Sequence, residues 1–301
     1  MKSILRKAGV GSVLALLIMA MSTTGVNALI INLSTPNLVF DNFSAPFQTP
    51  SPTANQSYWW RTLKSGGPTG FSQAENVDCN YDACLAQVNG VAKFTLKPQT
   101  YPGSIMVSDL TEERNGYSYN TPHRWLPTVG HPILVTSTMK FSSGYKADGT
   151  GAAVGSHPFW LWNNPLGPTG YIAPIQSIGF NWTDGQTFGG FFTGYKATVV
   201  DNTVSLNPLY VADLPTVNMN DWFVPSYLWS VDSQGVQNVK FFINLQKVGE
   251  YTLTQPMPAL TLELSIDNQS AQIGANGYEI NFRNPVSEQN MQISSLSIAR
   301  I

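Results

Sequence analysis

Apolar and polar residues alternate with a period of two over many short stretches of this chain. Such alternation is typical of strands that bury one face. Clusters of Gly, Pro, Asn and Asp separate the stretches, and no amphipathic helical pattern of ten or more residues follows residue 28. The clearest stretches are Ile133–Phe141, Val239–Leu245, Leu260–Ile266 and Met291–Ile301. Their regular spacing predicts an all-β sandwich or barrel.

The first 28 residues have the features of a secretory signal peptide. A basic start is followed by an apolar, small-residue run from Ala8 to Met21, and Val26-Asn27-Ala28 matches a small-x-small cleavage site. No later apolar run approaches the ~20 residues that a membrane helix needs. We therefore expect residues 29–301 to form one secreted domain without a membrane span, in the extracellular space or at the cell surface.

The composition narrows the class of ligand. Charged residues make up only 11% of the chain, aromatic residues make up 12%, and the formal net charge is −2. Nucleic-acid binding needs a clustered basic field that neutralises phosphates, so this balance argues against it. The surface must consist largely of Asn, Gln, Ser, Thr and Gly, which suits neutral polar ligands such as glycans.

Two cysteines, Cys79 and Cys84, have four residues between them in a polar segment. In an oxidising exterior this pair is expected to form one short-loop disulfide. The alternative, a metal site, would need histidine partners, and the three histidines show no ligand spacing.

Two neighbouring segments carry the most specific pattern. The first reads Gly155-Ser156-His157-Pro158-Phe159-Trp160-Leu161-Trp162-Asn163, and the second reads Ile175-Gln176-Ser177-Ile178-Gly179-Phe180-Asn181-Trp182. They resemble the Phe-Trp-Leu strand and the catalytic strand after it in glycoside hydrolase family 16 and its concanavalin A-like relatives. Segments that begin at Leu38, Ile133, Leu228, Pro256 and Ser294 resemble further strands of that group in the same order. The resemblance implies a two-sheet antiparallel jelly-roll sandwich.

The catalytic residues of that family are missing. Its second strand carries a Glu-x-Asp-x-Glu or Glu-x-Asp-x-x-Glu signature, because retaining cleavage needs a nucleophile and an acid/base about 5 Å apart. Here no Asp or Glu occurs from Gly149 to Thr183. The signature falls on Gln176, Ile178 and Phe180 or Asn181, none of which donates a proton at neutral pH or forms a glycosyl ester. The resemblance thus predicts a sugar-handling scaffold and leaves enzymatic activity uncertain.

Other residues are candidates for ligand contact. Tryptophan suits sugars because its flat face stacks on the C–H side of a pyranose. In the stretch from Leu260 the leucines form one face, which leaves Glu263 on the other, the expected groove. The predicted ligand-binding residues are Gln176, Asn181, Trp182, Glu263, Trp160 and Trp162.

The favoured function is non-catalytic recognition of a polysaccharide or glycan, and two alternatives stay open. A glycoside hydrolase or polysaccharide lyase with relocated acids would draw on Glu113, Asp184 and Glu263, and at least two of them would converge within about 5 to 9.5 Å. A structural or adhesive extracellular protein would instead have its groove filled by its own loops.

No cofactor is predicted from the residues. Calcium is common in the superfamily that the chain resembles, and Asp41 lies in a plausible strand for it. One acid is far short of the six to eight oxygens that calcium takes, so calcium stays a minor expectation.

Overall fold

A computed structural model describes the chain in segments. The described residues are 38–43, 59–67, 70–72, 85–87, 89–96, 104–109, 125–142, 155–163, 176–187, 190–201, 203–205, 207–214, 217–267, 269–274, 277–282 and 288–301. They all belong to one unit, Leu38–Ile301. The predicted signal peptide, residues 1–28, lies outside the described residues, as do Cys79 and Cys84, so the leader and the disulfide stay predictions.

The regular elements of the described residues are all strands. They are β1 Leu38–Asp41, β2 Trp59–Gly67, β3 Gly70–Ser72, β4 Leu85–Gln87, β5 Ala92–Leu96, β6 Ser104–Asp109, β7 Ile133–Phe141, β8 Gly155–Asn163, β9 Gln176–Thr187, β10 Gly190–Asp201, β11 Tyr210–Asp213, β12 Pro225–Val231, β13 Gln237–Ile243, β14 Gln246–Thr252, β15 Thr261–Asp267, β16 Gln269–Gly274, β17 Gly277–Phe282 and β18 Gln289–Arg300.

The strands form two antiparallel eight-stranded sheets and a hairpin. The first sheet has the order β14-β13-β12-β7-β18-β5-β4, with β1 also paired to β18. The second sheet has the order β11-β10-β9-β8-β15-β6-β2-β3, and β16 pairs with β17. Segments that are far apart in the sequence pair within each sheet, so many neighbouring strands are not consecutive in the chain. Neither sheet is a simple meander. The predicted two-sheet antiparallel architecture is confirmed.

The four predicted strands are present, with small shifts at their ends. β7 has the predicted limits, whereas β13 ends at Ile243 because Asn244 and Leu245 adopt positive φ angles of 50° and 70° and turn the chain into β14. A leucine with positive φ is an outlier, since its side chain crowds the backbone there.

The core lies between the sheets and is filled by alternate residues of their central strands. In β7, Ile133, Val135 and Met139 are fully buried in it. The second sheet contributes alternate residues of β8, β9, β10 and β15. Aromatic rings fill much of the space: Phe180 contacts Tyr195 at 5.6 Å and Phe241 at 5.6 Å between ring centroids. Each buried side chain of this kind stabilises the fold by about 2 kcal/mol.

One polar side chain organises the core beside β12 and β13. The Oε1 atom of Gln237 accepts hydrogen bonds from Trp229 Nε1 at 3.1 Å and from the Met257 backbone N–H at 2.9 Å. Its Nε2 atom donates to the Met257 carbonyl oxygen at 3.2 Å. All three residues are buried. Gln237 therefore fastens the segment between β14 and β15 to the first sheet.

Candidate functional site

The outer face of the second sheet, away from the core, brings together several of the predicted site residues. In β8, Phe159 and Leu161 belong to the core, so Trp160 and Trp162 lie on the outer face. In β9, Ile178 and Phe180 belong to the core, which leaves the alternate positions on the outer face. We call this surface the tryptophan face and define it by Trp160, Trp162, Ser177, Gly179, Asn181 and Thr198.

The two indoles of the tryptophan face stack on each other. Trp160 and Trp162 have ring centroids 5.3 Å apart and planes within 9° of parallel. Their side chains nevertheless retain only 3% and 8% of their exposure, so other atoms of the chain cover them. The stack therefore forms a covered floor, and contact of these two rings with a ligand stays a prediction.

A glycine makes room for this floor. Gly179 pairs with Trp160 in the register of β8 and β9. A Cβ atom at position 179 would lie 2.5 Å from the Phe159 carbonyl oxygen, 2.5 Å from Trp160 Cα and 2.6 Å from Trp160 Cβ. Two of these atoms are backbone in a central strand, so no side chain fits at position 179 without moving β8.

The polar groups of the tryptophan face are buried. Asn181 Nδ2 donates to Thr198 Oγ1 at 2.6 Å, between β9 and β10. Ser177 pairs with Trp162 in the register, and its hydroxyl is buried with no hydrogen-bond partner. A buried unpaired hydroxyl costs about 1 to 3 kcal/mol, so a site at Ser177 would gain from a ligand that supplies the missing bond.

The charges that border the tryptophan face cancel. Lys196 pairs with Asn181 in the register and forms an ion pair with Asp213 of β11. The hydrogen bond from Lys196 and its positive charge hold the pKa of Asp213 below its usual range. Lys196 and Asp213 therefore neutralise each other, and neither of these two described side chains is a free charge for a polar ligand.

Gln176 lies on the other face of β9. Its Nε2 atom donates to Asp201 Oδ2 at 3.1 Å, and Asp201 Oδ1 in turn accepts from the Thr203 backbone N–H at 2.9 Å. Gln176 thus joins the start of β9 to the end of β10. The structure brings Asn181, Trp160 and Trp162 to one face and does not place Gln176 with them.

Two of the residues on which the signature was predicted to fall lie in the core. Ile178 and Phe180 have no exposure, so their side chains do not reach the tryptophan face. The outer positions of β9 are Ser177, Gly179 and Asn181, which have the same spacing as a Glu-x-Asp-x-Glu signature. Which residues of this chain correspond to that signature stays a prediction. Ser177, Gly179 and Thr198 were not among the predicted site residues, although the alternation of Ile178 and Phe180 indicates that Ser177 and Gly179 lie on the outer side.

The remaining predicted site residues are described by backbone register only. Trp182 pairs with Tyr195 of β10, and Asp184 pairs with Thr193 farther along the same two strands. Glu263 of β15 pairs with Trp160. Their roles in ligand contact stay predictions. Glu113 lies outside the described residues.

The described residues bring together no group of three or more His, Cys, Asp or Glu side chains that would hold a metal ion. The minor expectation of calcium near Asp41 stays a prediction. Within the part of the chain that the structure describes, no helix has the length and apolarity to cross a membrane.

Comparisons with known proteins identify the fold. No known protein family and no curated protein matches the sequence. Among solved structures, a prokaryotic β-1,3-1,4-glucanase (lichenase) from a mouse hindgut metagenome is similar, with a TM-score of 0.52 and 11% identity over 88% of this chain and 100% of the enzyme. The β-glucanase of Bacillus licheniformis gives 0.51 and 11% over 89% and 100%.

A third structure extends the comparison. It belongs to work on endo-acting O-glycanases with which human gut microbiota initiate mucin breakdown, and it gives a TM-score of 0.50 with 12% identity over 87% of this chain and 98% of its own. At these identities the likeness concerns the fold alone. The chain therefore has the concanavalin A-like jelly-roll fold, as the sequence resemblance implied.

Proposed function

We propose that the chain is a secreted, non-catalytic carbohydrate-binding protein that recognises a neutral glycan at the tryptophan face. The observation that carries the proposal is the pairing of the Trp160 and Trp162 stack with Ser177, Gly179 and Asn181 on the next strand. Aromatic rings beside hydroxyl and amide groups suit the C–H and O–H surfaces of sugars. The glucanases of the same fold act on glycans, which supports this class of ligand.

The residues of β9 argue against the family 16 reaction. A hydroxyl, a hydrogen and an amide occupy the three outer positions, and none of them replaces a carboxylate nucleophile or a carboxylic acid donor. A serine nucleophile would need an adjacent base. No base is hydrogen-bonded to Ser177 among the described residues, because its hydroxyl has no partner there.

The backbone register also argues against one relocated pair of acids. Glu263 pairs with Trp160, which pairs with Gly179 of β9. Asp184 lies five residues beyond Gly179 in β9. At the usual rise this is about 17 Å along the strand, well beyond the roughly 5 to 9.5 Å between glycosidase carboxylates. Asp184 and Glu263 are therefore poor candidates for a catalytic pair.

The function is tested first by glycan retention and sugar release. The purified protein is expected to bind immobilised polysaccharide and to release no reducing ends from mixed-linkage β-1,3-1,4-glucan or mucin. Trp182→Ala and Glu263→Gln variants report whether these two predicted residues take part in binding. Release of reducing ends that disappears in the Glu263→Gln variant would overturn the non-catalytic proposal.

Removing the Ser177 hydroxyl gives a sharper test of the face itself. Because this hydroxyl is buried and has no partner in the protein, Ser177→Ala is expected to raise the free energy of unfolding by about 1 kcal/mol. If a sugar hydroxyl supplies the missing bond, glycan affinity falls about fivefold. Urea unfolding and binding isotherms measure the two effects.

Ser226→Ala is the matched control. Ser226 is also fully buried with an unpaired hydroxyl, but it lies in β12 of the first sheet. Its replacement is expected to raise the free energy of unfolding by a similar amount and to leave glycan affinity unchanged. Equal affinity losses in the two variants, or none in Ser177→Ala, would remove Ser177 from the site.

One observation favours a second candidate, a structural or adhesive protein without a small ligand. Trp160, Trp162 and Asn181 are almost completely covered by the chain's own atoms. Binding at this face requires that the covering atoms be displaced. Failure of the native protein to bind any polysaccharide class would favour the structural function over glycan recognition.

A further inference from the structure

An exposed tryptophan lies away from the tryptophan face. Trp222, just before β12, keeps 43% of its exposure, whereas Trp125, Trp160, Trp162 and Trp229 are buried. Its ring lies under the Nζ atom of Lys140, 4.8 Å from the ring centroid. Lys140 alternates with the core residues Met139 and Phe141 in β7, so it belongs to the outer face of the first sheet. Trp222 is thus separated from the tryptophan face by the core.

The backbone holds Trp222 firmly. The neighbouring Phe223 exchanges two backbone hydrogen bonds with Met139, each 3.0 Å long, and its buried ring packs on Phe141 and Tyr195. On the other side, Asn218 Nδ2 donates to Asp221 Oδ2 at 2.8 Å. Because the backbone on both sides of Trp222 is already held, little backbone entropy is lost when a ligand stacks on the Trp222 ring.

The turn between β13 and β14 is bonded to the segment that carries this tryptophan, two residues after it. Asn244 exchanges two hydrogen bonds with Val224: its backbone N–H donates to the Val224 carbonyl, and its Oδ1 accepts from the Val224 N–H, both at 2.8 Å. The next residue, Leu245, is exposed despite its positive φ. Backbone strain of this kind is concentrated at functional sites.

We propose that Trp222, with Lys140, Asn220 and Asn244, forms a second glycan-binding site on the opposite side of the sandwich. A neutral sugar ring would stack on the part of the indole that Lys140 leaves uncovered. The Asn244 Nδ2 atom donates to no atom of the described residues, and the Asn220 side chain is exposed, so both amides are available to sugar hydroxyls. This site extends the proposed function to two-sided glycan binding.

Lys240 and Lys247 lie on the same sheet as Lys140 and are already paired, which favours a glycan over a lipid surface as the ligand. Glu250 accepts a hydrogen bond from Lys247 at 2.9 Å and lies 3.7 Å from the Lys240 ammonium. The hydrogen bond from Lys247 is the main cause that lowers the pKa of Glu250, so this carboxylate stays ionised beside its two lysines. Adsorption to anionic lipid needs a cluster of unpaired basic residues, which these ion pairs reduce.

Fluorine NMR of the full protein labelled with fluorotryptophan tests the second site directly. The Trp222 resonance is assigned by its absence in Trp222→Phe. Mixed-linkage β-1,3-1,4-glucan, cellulose oligomers and mucin glycans are added in turn, followed by vesicles of phosphatidylcholine and phosphatidylglycerol. We expect one of the glycans to shift or broaden this resonance and the vesicles to leave it unchanged. A response to vesicles alone, or to none of the probes, overturns the proposal.

Binding measurements separate the two sites. Trp222→Ala is expected to weaken binding of the responding glycan at this site about fivefold and to leave the melting temperature unchanged, because the ring is exposed. Val129→Ala, another exposed apolar residue before the start of β7, is the matched control and should bind as the native protein does. If the Trp222 resonance of the Ser177→Ala variant still responds to the glycan, the response arises at the second site, whether or not the tryptophan face binds. An affinity in Trp222→Ala equal to that of the control contradicts the proposal.

Discussion

Replacement of Gln237 by leucine is expected to lower the free energy of unfolding by about 4 kcal/mol. The side chain of Gln237 accepts from Trp229 Nε1 and the Met257 N–H and donates to the Met257 carbonyl. Leucine has a similar volume but leaves all three groups buried and unpaired, and each costs about 1 to 3 kcal/mol. Urea unfolding followed by circular dichroism measures the loss.

In the Gln237→Glu variant the free energy of unfolding is expected to depend on pH, and the direction of that dependence follows from the burial of the new carboxyl group. The carboxylate accepts the same two hydrogen bonds, but it donates nothing to the Met257 carbonyl, and burial raises its pKa in the folded protein above the unfolded value of about 4.3. The folded state then binds more protons. The variant's stability, relative to the native protein, is therefore greatest below about pH 4 and falls by about 1.4 kcal/mol per unit as pH rises to the folded pKa.

Gln255→Glu is the control for this pH profile. Gln255 is exposed and lies two residues from Met257. Its carboxylate stays solvated in both states, so its stability profile is expected to follow that of the native protein. A Gln237→Glu profile that matches the control, or a loss below about 1 kcal/mol in Gln237→Leu, would show that Gln237 does not fasten the Met257 segment.

The fold was largely predictable from the sequence because alternation is a local property. The strand Ile133–Phe141 was predicted with its observed limits, since four of its five apolar residues, all except Leu134, pack in the core. The turn at Asn244 and Leu245 was not predicted. Its local sequence lacks the glycine that usually accompanies positive φ, and two hydrogen bonds between Asn244 and Val224, twenty residues away, hold the turn.

The candidate site was less predictable, because its geometry depends on pairs of strands. The spacing of Trp160 and Trp162 in an alternating strand indicates that they share a face, and their rings stack in the structure. The covering of both rings depends on contacts that no local pattern encodes. Gln176 was predicted to contact the ligand, but it lies on the other face of β9, where it donates to Asp201 of β10.

The second large effect is expected at Gly179, where alanine should lower the free energy of unfolding by about 3 kcal/mol. The added Cβ would lie 2.5 Å from the Phe159 carbonyl oxygen and from Trp160 Cα. β8 lies between β9 and β15 in the sheet, so these backbone atoms move only if several strands move. Chemical unfolding of the purified variant measures the loss.

Gly249→Ala is the matched control for this overpacking. Its Cβ would lie even closer to a neighbour, 2.4 Å from the Tyr210 hydroxyl oxygen, but that atom is the end of a side chain and can move. We expect a loss of about 1 kcal/mol, including a weaker hydrogen bond from the Glu250 N–H to that hydroxyl. Equal losses at the two glycines would mean that β8 adjusts as easily as the Tyr210 side chain does.

The same clash limits which residues this face can hold. Ser177, Gly179 and Asn181 have the spacing of a Glu-x-Asp-x-Glu signature, and the middle position has no room for any Cβ. Introducing such a signature by Ser177→Glu, Gly179→Asp and Asn181→Glu is therefore expected to unfold the protein or displace Trp160 before it creates a glycosidase. A well-folded triple variant that releases reducing ends from β-1,3-1,4-glucan would contradict this. The close approach of β8 to β9 thus leaves no room for an acidic side chain at position 179 beside the two stacked tryptophans.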